Sequence, residues 1–360
     1  MVSEKAKVSK TTVSRFLNGK FEFMSVETKN RIQAVIDELE YRPNTMAQGL
    51  KNNKTGLIGL VVDDMTQLAT AKLIKGVNDG CIKNDFQLMM VAVGNAPEVA
   101  REQVQLLIDR QVEGIIFNTE NVDELFIKEL KSQGIKLVLA DMRLEDATDV
   151  VIIDHEKSMV ELIKKVYDDG FEKMGFFSQP FSHKSSTIKH NIFIEGSKNF
   201  VRNAHELTYF THDQRFGFEA YRKALDTFIK DNVDYKLVIF AENSAVMLNL
   251  VNGIYRLGLR IPEDIGVCGY DELGLKDLVA GGITTIEAPF YEVGFQATEL
   301  LLKRIAKGKD QYKPRQVVLQ TEVKIRNSTQ TNESGFDKIV RSVNEENEII
   351  VKNLRKNIDI

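Results

Sequence analysis

The stretch Val8-Ser-Lys-Thr-Thr-Val-Ser-Arg-Phe-Leu-Asn18 decides how this chain is read. Ser9 is a good helix N-cap, because its hydroxyl can accept from an orphan backbone N–H one turn on. Lys10, Thr11, Thr12, Ser14 and Arg15 follow as one polar turn, while Val13, Phe16 and Leu17 are apolar. A short helix so divided can bury one side and hold its N-terminal polar residues outward. The second helix of a helix-turn-helix enters the DNA major groove in this way. A surface helix of no special role would show the same split, so the flanking sequence has to decide.

Upstream, residues 2–7 read as the end of a first helix leading into a turn. Downstream, Ser25 caps a longer helix with Ile32, Val35, Ile36 and Leu39 on one face at helical spacing. Pro43 ends it, because the residue before a proline is pushed out of the α region. Residues 1–43 thus form a minimal three-helix DNA-binding head. Residues 1–54 carry ten Lys and Arg against six Asp and Glu, a net of +4, in a chain whose net charge is −4. A basic head on an acidic body suits phosphate contacts. Residues 44–54 are small and polar: either a plain linker, or a short hinge helix that orders only on DNA, with Met46, Ala47 and Leu50 on one face.

From residue 55 the pattern becomes regular. Apolar runs at 57–62, 87–93, 114–118, 136–141, 150–154, 173–178, 236–241 and 265–270 alternate with helix-length amphipathic stretches at 71–84, 97–110, 156–169 and 244–257. Such alternation predicts parallel sheets covered on both faces, and two sheets fit the length better than one. In open α/β sheets the ligand sits at the C-terminal ends of the strands. Asp63, Asp64, Asn118, Asp141, Asp154, Glu242, Asn243 and Asp271 fall there. Singly, each is an ordinary loop or cap residue. Together they offer many hydrogen-bonding groups and few cations, which suits a polyhydroxylated ligand.

Composition narrows the function. The 360 residues, 43% hydrophobic, hold no apolar run near membrane length, and no signal-peptide segment precedes the head, so a soluble cytoplasmic protein without membrane contact is expected. Cys81 and Cys268 form no CxxC pattern and read as two buried thiols. No Gly-x-Ser-x-Gly elbow, dinucleotide glycine motif or spaced metal ligands appear, and the five histidines form no recognisable ligand set. Neither an enzyme nor a cofactor or metal is expected. A solute-binding protein would share the doubled body but would need an export signal.

With head, linker and doubled α/β body in place, residues 2–328 resemble the lactose/galactose repressor family of bacterial transcription regulators. The motifs are Val8-Ser-Lys-Thr-Thr-Val-Ser-Arg15, Arg31-Ile, Tyr41-Arg-Pro-Asn44, Ala47-Gln-Gly-Leu50, Ile58-Gly59, Gly114-Ile-Ile116, Ile261-Pro-Glu-Asp-Ile-Gly-Val267, Gly269-Tyr-Asp271 and Thr284-Thr-Ile286. The loop reaching Ser25, one residue longer than is usual, looks most like regulators of ketodeoxygluconate and pectin-sugar use. The implied fold is an all-α helix-turn-helix head on two doubly wound subdomains of periplasmic-binding-protein type. Their expected extents are about 55–154 with 285–312, and about 155–284 with 313–328. The implied function is a dimeric repressor of carbohydrate-use genes, released from operator DNA by a sugar or sugar acid. A co-repressor-dependent regulator, or a sugar receptor without DNA binding, is the alternative.

The resemblance assigns Lys10, Thr11 and Arg15 to base edges, and Ser9, Thr12, Ser14 and Asn18 to phosphates. Asn44 and Ala47 belong to the hinge, and Leu50 matches the wedge that enters the minor groove and kinks the duplex. Gly49 replaces the usual helix former beside it, so a hinge disordered without DNA is expected. For the effector, the resemblance implies Asp141, Asp271, and Glu242 with Asn243, where the usual amide and acid are exchanged; Asp64 and Asn118 join them as strand-end residues. Phe193 stands where the family commonly places a ligand-gripping arginine, so an acidic effector would need Lys189, Arg143 or Arg215. About seven residues that cap and begin the first helix have no counterpart here, which suggests a start upstream. Beyond Arg326 the resemblance stops. Val340, Val343, Asn347, Ile350, Leu354 and Asn357 in the charged tail follow a short heptad that could join two dimers, or the tail simply frays.

Overall fold

The computed structural model describes residues 1–17, 19–22, 24–41, 55–94, 96–142, 148–178, 184–200, 208–210, 218–271, 274–307 and 313–330. Asn18, the hinge residues Asn44, Ala47, Gly49 and Leu50, Arg143, Arg215 and the tail heptad lie outside them.

In the head, α1 (Val2–Lys5), α2 (Lys10–Leu17) and α3 (Val26–Glu38) meet around Val2, Ala6, Val13, Phe16, Ile32 and Val35. The expected caps form. Ser9 Oγ accepts from Thr12 N at 3.0 Å, and Ser25 Oγ accepts from Thr28 N at 3.2 Å. Each is worth about 1 kcal/mol to its helix.

The body holds two six-stranded sheets. The first has the order β2-β1-β3-β4-β5-β11, built from β1 (Leu57–Val62), β2 (Gln87–Ala92), β3 (Gly114–Asn118), β4 (Leu137–Ala140), β5 (Asp149–Asp154) and β11 (Gln316–Gln320), all parallel. The second has the order β7-β6-β8-β9-β10-β12, from β6 (Lys173–Ser178), β7 (Thr208–Phe210), β8 (Leu237–Ala241), β9 (Gly266–Tyr270), β10 (Thr284–Glu287) and β12 (Glu322–Lys324), with β12 antiparallel. Helices α4 (Leu68–Lys83), α5 (Pro97–Asp109), α6 (Glu124–Ser132) and α11 (Phe290–Lys307) belong to the first lobe. Helices α7 (Glu156–Asp168), α8 (Lys184–Ser197), α9 (Phe218–Asp231) and α10 (Ser244–Arg256) belong to the second. Among the described residues no helix is long and apolar enough to cross a membrane.

The exchange points between lobes differ from expectation. Residues 313–320 join the first lobe, since β11 pairs in parallel with β5, Val317 opposite Val151. Residues 285–287 join the second, since Ile286 in β10 pairs with Tyr270. The number of crossings is as expected, with one return to the first lobe before the chain ends in the second; the ladder places the switches after β10 and after β11 instead. Local pattern does not state sheet membership; partners far away in sequence do.

Glycines set the closest helix contact. A Cβ on Gly76 of α4 would lie 1.9 Å from Tyr291 O, and one on Gly294 of α11 would lie 2.1 Å from Leu73 O. The two backbones therefore touch. Gly294→Ala is expected to force α11 off α4 and cost about 1–3 kcal/mol. Urea unfolding measures this, and an unchanged midpoint would show that the helices part freely.

Candidate functional site

The recognition face is built by the split of α2. Val13 and Phe16 are buried, while Lys10, Thr11 and Arg15 are exposed and Ser14 is half-buried. The hydroxyls of Ser9 and Thr12 lie 2.9 Å apart and serve the cap as well as facing outward. Charge is sorted across the head. Lys5 pairs with Glu38 at 2.6 Å and Arg31 approaches Glu27 at 3.9 Å. Lys29 lies over the Phe21 ring, whose edge meets Phe16. Lys10 and Arg15 have no acidic partner among the described residues, which leaves their charge for an anionic surface.

In the body, polar side chains converge from the C-terminal strand ends of both lobes. Asp63 ties the first-lobe loops together. Its carboxylate accepts from Thr119 Oγ1, from Asn121 Nδ2 at 2.7 Å and from Glu120 N at 3.3 Å. The Glu120 carboxylate crosses to the second lobe and accepts from Ser185 N, in the first turn of α8, at 3.3 Å. There Glu242, almost fully buried, accepts from Ser178 Oγ at 2.7 Å and Ser186 Oγ at 2.6 Å. One turn on, Lys189 is only 5% exposed. Among the described residues its ammonium has one long hydrogen-bond contact, 3.5 Å to Glu242 O, and it sits 4.3 Å from the centre of the Tyr270 ring. Tyr270 Oη is 3.0 Å from His155 Nδ1, at the strand crossing that follows β5.

The expected effector residues divide. Lys189, Glu242 and Asp271 gather at the second-lobe strand ends, Asp271 held by Ser244 Oγ at 3.2 Å and Gly274 N at 2.9 Å. Gly269 sets that corner: at φ 149° it lies so close to β8 that a Cβ would meet Ala241 O at 2.1 Å. Asn243 caps α10, its Oδ1 accepting from Val246 N at 3.0 Å. Asn118 donates to Ala140 O at 2.9 Å, bridging β3 and β4. Asp141 adopts φ 53° and takes Ile153 N at 3.3 Å, while Asp64 is turned into its own loop by Thr66. Phe193 is a correction. It is fully buried against Phe176 and Phe240, with ring centres 5.0 and 5.7 Å away, and faces the core. The arginine position of the family is filled here by packing.

Glu120, Ser178, Ser186 and Tyr270 were not among the expected site residues. Serines and a loop glutamate carry no local signal; only the approach of α8 to β3 and β8 gathers them. The chemistry that results is recognition. A buried ammonium whose one hydrogen-bond contact among the described residues is 3.5 Å long favours an anion, because a poorly paired charge out of water is costly. Burial raises the Cys81 thiol to about 11 and raises Cys268 as well, so neither supplies a thiolate near neutral pH.

Comparison with known proteins agrees with both parts. Residues 2–44 match the bacterial regulatory proteins of the lacI family, and residues 163–329 match a periplasmic binding protein-like domain. The HTH-type transcriptional regulator KdgR of Bacillus subtilis (strain 168) is 34% identical over 328 residues, covering 91% of this chain and 96% of that protein. Catabolite control protein A of Priestia megaterium is 28% identical, covering 85% and 92%. The lac repressor dimer bound to operator and the anti-inducer ONPF superposes with a TM-score of 0.77 at 20% identity, covering 92% of this chain and 98% of that one. The CelR–cellobiose complex gives 0.64 at 21% identity, covering 91% and 98%. The two structures share the fold; the likeness to KdgR runs through the sequence of nearly both whole chains. The chain belongs to the lacI family of bacterial regulatory proteins, DNA-binding regulators of transcription.

Proposed function

We propose that the protein represses carbohydrate-use genes as a homodimer, and that a sugar acid bound between the lobes releases it from its operator. Two heads on one dimer match a near-palindromic site, since half-site symmetry mirrors protein symmetry. Lys10, Thr11 and Arg15 read base edges. Ser9, Thr12, Ser14 and Asn18 hold phosphates, and Leu50 wedges the minor groove. Lys189 is the observation that carries the effector class. It brings a cation to the second-lobe strand ends, beside Glu242 and Tyr270, while the family's arginine position is closed by Phe193. A carboxylate on Lys189 and hydroxyls on Asp271 and Glu242 describe a polyhydroxylated acid. The likeness to KdgR over nearly both whole chains makes ketodeoxygluconate the first compound to try. Binding acts by shifting the protein between two states, limited by the ligand's differential affinity for them.

The test is fluorescence anisotropy with duplex DNA from upstream of the protein's own gene, with and without ketodeoxygluconate. The acid is expected to weaken DNA binding. In Lys189→Met, DNA affinity should stay while the acid concentration for half-release rises about tenfold to a hundredfold, the loss of one charge-assisted contact. An unchanged acid response in Lys189→Met would discard the assigned cation. DNA binding indifferent to every sugar acid would discard the effector class and keep the regulator.

A further inference from the structure

We propose that Glu120 restricts the effector to acids with a single carboxylate. The inference rests on the sugar-acid reading above and adds a selectivity that Lys189 alone would not produce. Ser185 and Lys189 are four residues apart on α8 and lie on one face, with Cβ atoms roughly 5–6 Å apart. The first of these two positions already receives the Glu120 carboxylate from the opposite lobe, through Ser185 N at 3.3 Å. The second offers the buried ammonium. Four residues rise about 6 Å along a helix, a span comparable to a six-carbon acid, so on this proposal the ligand's carboxylate sits on Lys189 and its other end faces Glu120.

Glu120 is not free to retreat. Its own N–H is held by Asp63, and its neighbours Thr119 and Asn121 are held by the same carboxylate. Asn121 also donates to Gly94 O at 2.6 Å, so the loop is fixed on two sides. A hydroxyl at the far end of the ligand can donate to Glu120. A carboxylate there cannot donate, and meets like charge from Glu120 with Asp63 behind it. Lys189 is already used by the first carboxylate, and among the described residues no second buried cation stands at these strand ends. Carbohydrate acids with a terminal alcohol therefore fit, and their diacid counterparts do not.

Isothermal titration of the full chain with ketodeoxygluconate, gluconate and glucarate tests this, glucarate being gluconate with its terminal alcohol oxidised to a second carboxylate. Wild type is expected to bind a monoacid and to bind glucarate at least about tenfold more weakly, from like charges a few ångströms apart. Glu120→Gln keeps the size, removes the charge and supplies a donor, so it should raise glucarate affinity about tenfold or more relative to the monoacid and close most of the gap between them. Glu124→Gln makes the same change in net charge on the next helix and should leave the gap intact. Wild type binding glucarate as tightly as gluconate, or a gap that survives in Glu120→Gln, overturns the proposal. If no acid binds and Lys189→Met changes nothing, the sugar-acid reading itself falls and takes this inference with it. That outcome differs from monoacid binding with a persistent gap, which removes Glu120 alone.

Discussion

Asp149→Ala is expected to lower the stability of the first lobe by about 3–5 kcal/mol, the usual cost of stranding one partner of a buried ion pair. Asp149 is fully buried at the start of β5, and three elements meet on it. Arg304 of α11 donates through Nε at 2.5 Å, and Arg315, just before β11, donates its backbone N–H at 2.8 Å. The Arg304 side chain is itself only 21% exposed, so its charge is poorly rescued by water once the carboxylate is gone. The loss should appear as a fall in melting temperature of about 10 °C. Asp149→Asn keeps an acceptor for Arg315 N–H and should cost less. The double variant Arg304→Met, Asp149→Asn should recover part of the loss, because the stranded charge is removed as well. Equal melting temperatures for wild type and Asp149→Ala would show that the anchor is not stabilising.

Arg15→Ala is expected to weaken operator binding by about 2–6 kcal/mol at fixed salt. A guanidinium that donates twice to guanine O6 and N7 contributes roughly 1–3 kcal/mol of discrimination, and a dimer presents it twice. Arg15 is exposed on α2 and has no carboxylate beside it among the described residues, so removing it should leave the head folded. Circular dichroism can verify that. Relaxed base preference at one position in each half-site separates base reading from plain charge loss, which would weaken every sequence alike. A uniform loss with unchanged preference would move Arg15 to the phosphates. Binding that survives intact would remove α2 from the operator interface.

Much of this architecture was legible beforehand. The runs at 57–62, 114–118 and 173–178 coincide with β1, β3 and β6, and the remaining expected strands match within a residue or so at each end. Near-continuous apolar runs mark strands buried on both faces, and such runs end where the sheet ends. The helices after β5 and β8 begin where expected, at Glu156 and Ser244. Strands β10, β11 and β12 were harder. They are short or, like β11, alternate between half-buried and exposed positions at a sheet edge, where the pattern resembles a polar loop.

The candidate site divided along the same line. Cap chemistry and the split of α2 depend on neighbours within one turn, so Ser9, Val13 and Arg15 could be placed from the chain alone. Phe193 could not. Its position in the string suggested the cleft, but its direction depends on Phe176 and Phe240, which arrive from strands β6 and β8. Lys189 was one candidate cation of three, and only the folded lobe shows it buried over Tyr270. Glu120 became visible only when the two lobes came together around α8. Periodicity, capping and charge are carried by residues close in sequence, and they were sufficient for the head, the doubled body and the strand ends. The exchange of strands between sheets, the aim of a side chain and the pairing of charges across a cleft depend on contacts distant in sequence, and those belong to the tertiary structure.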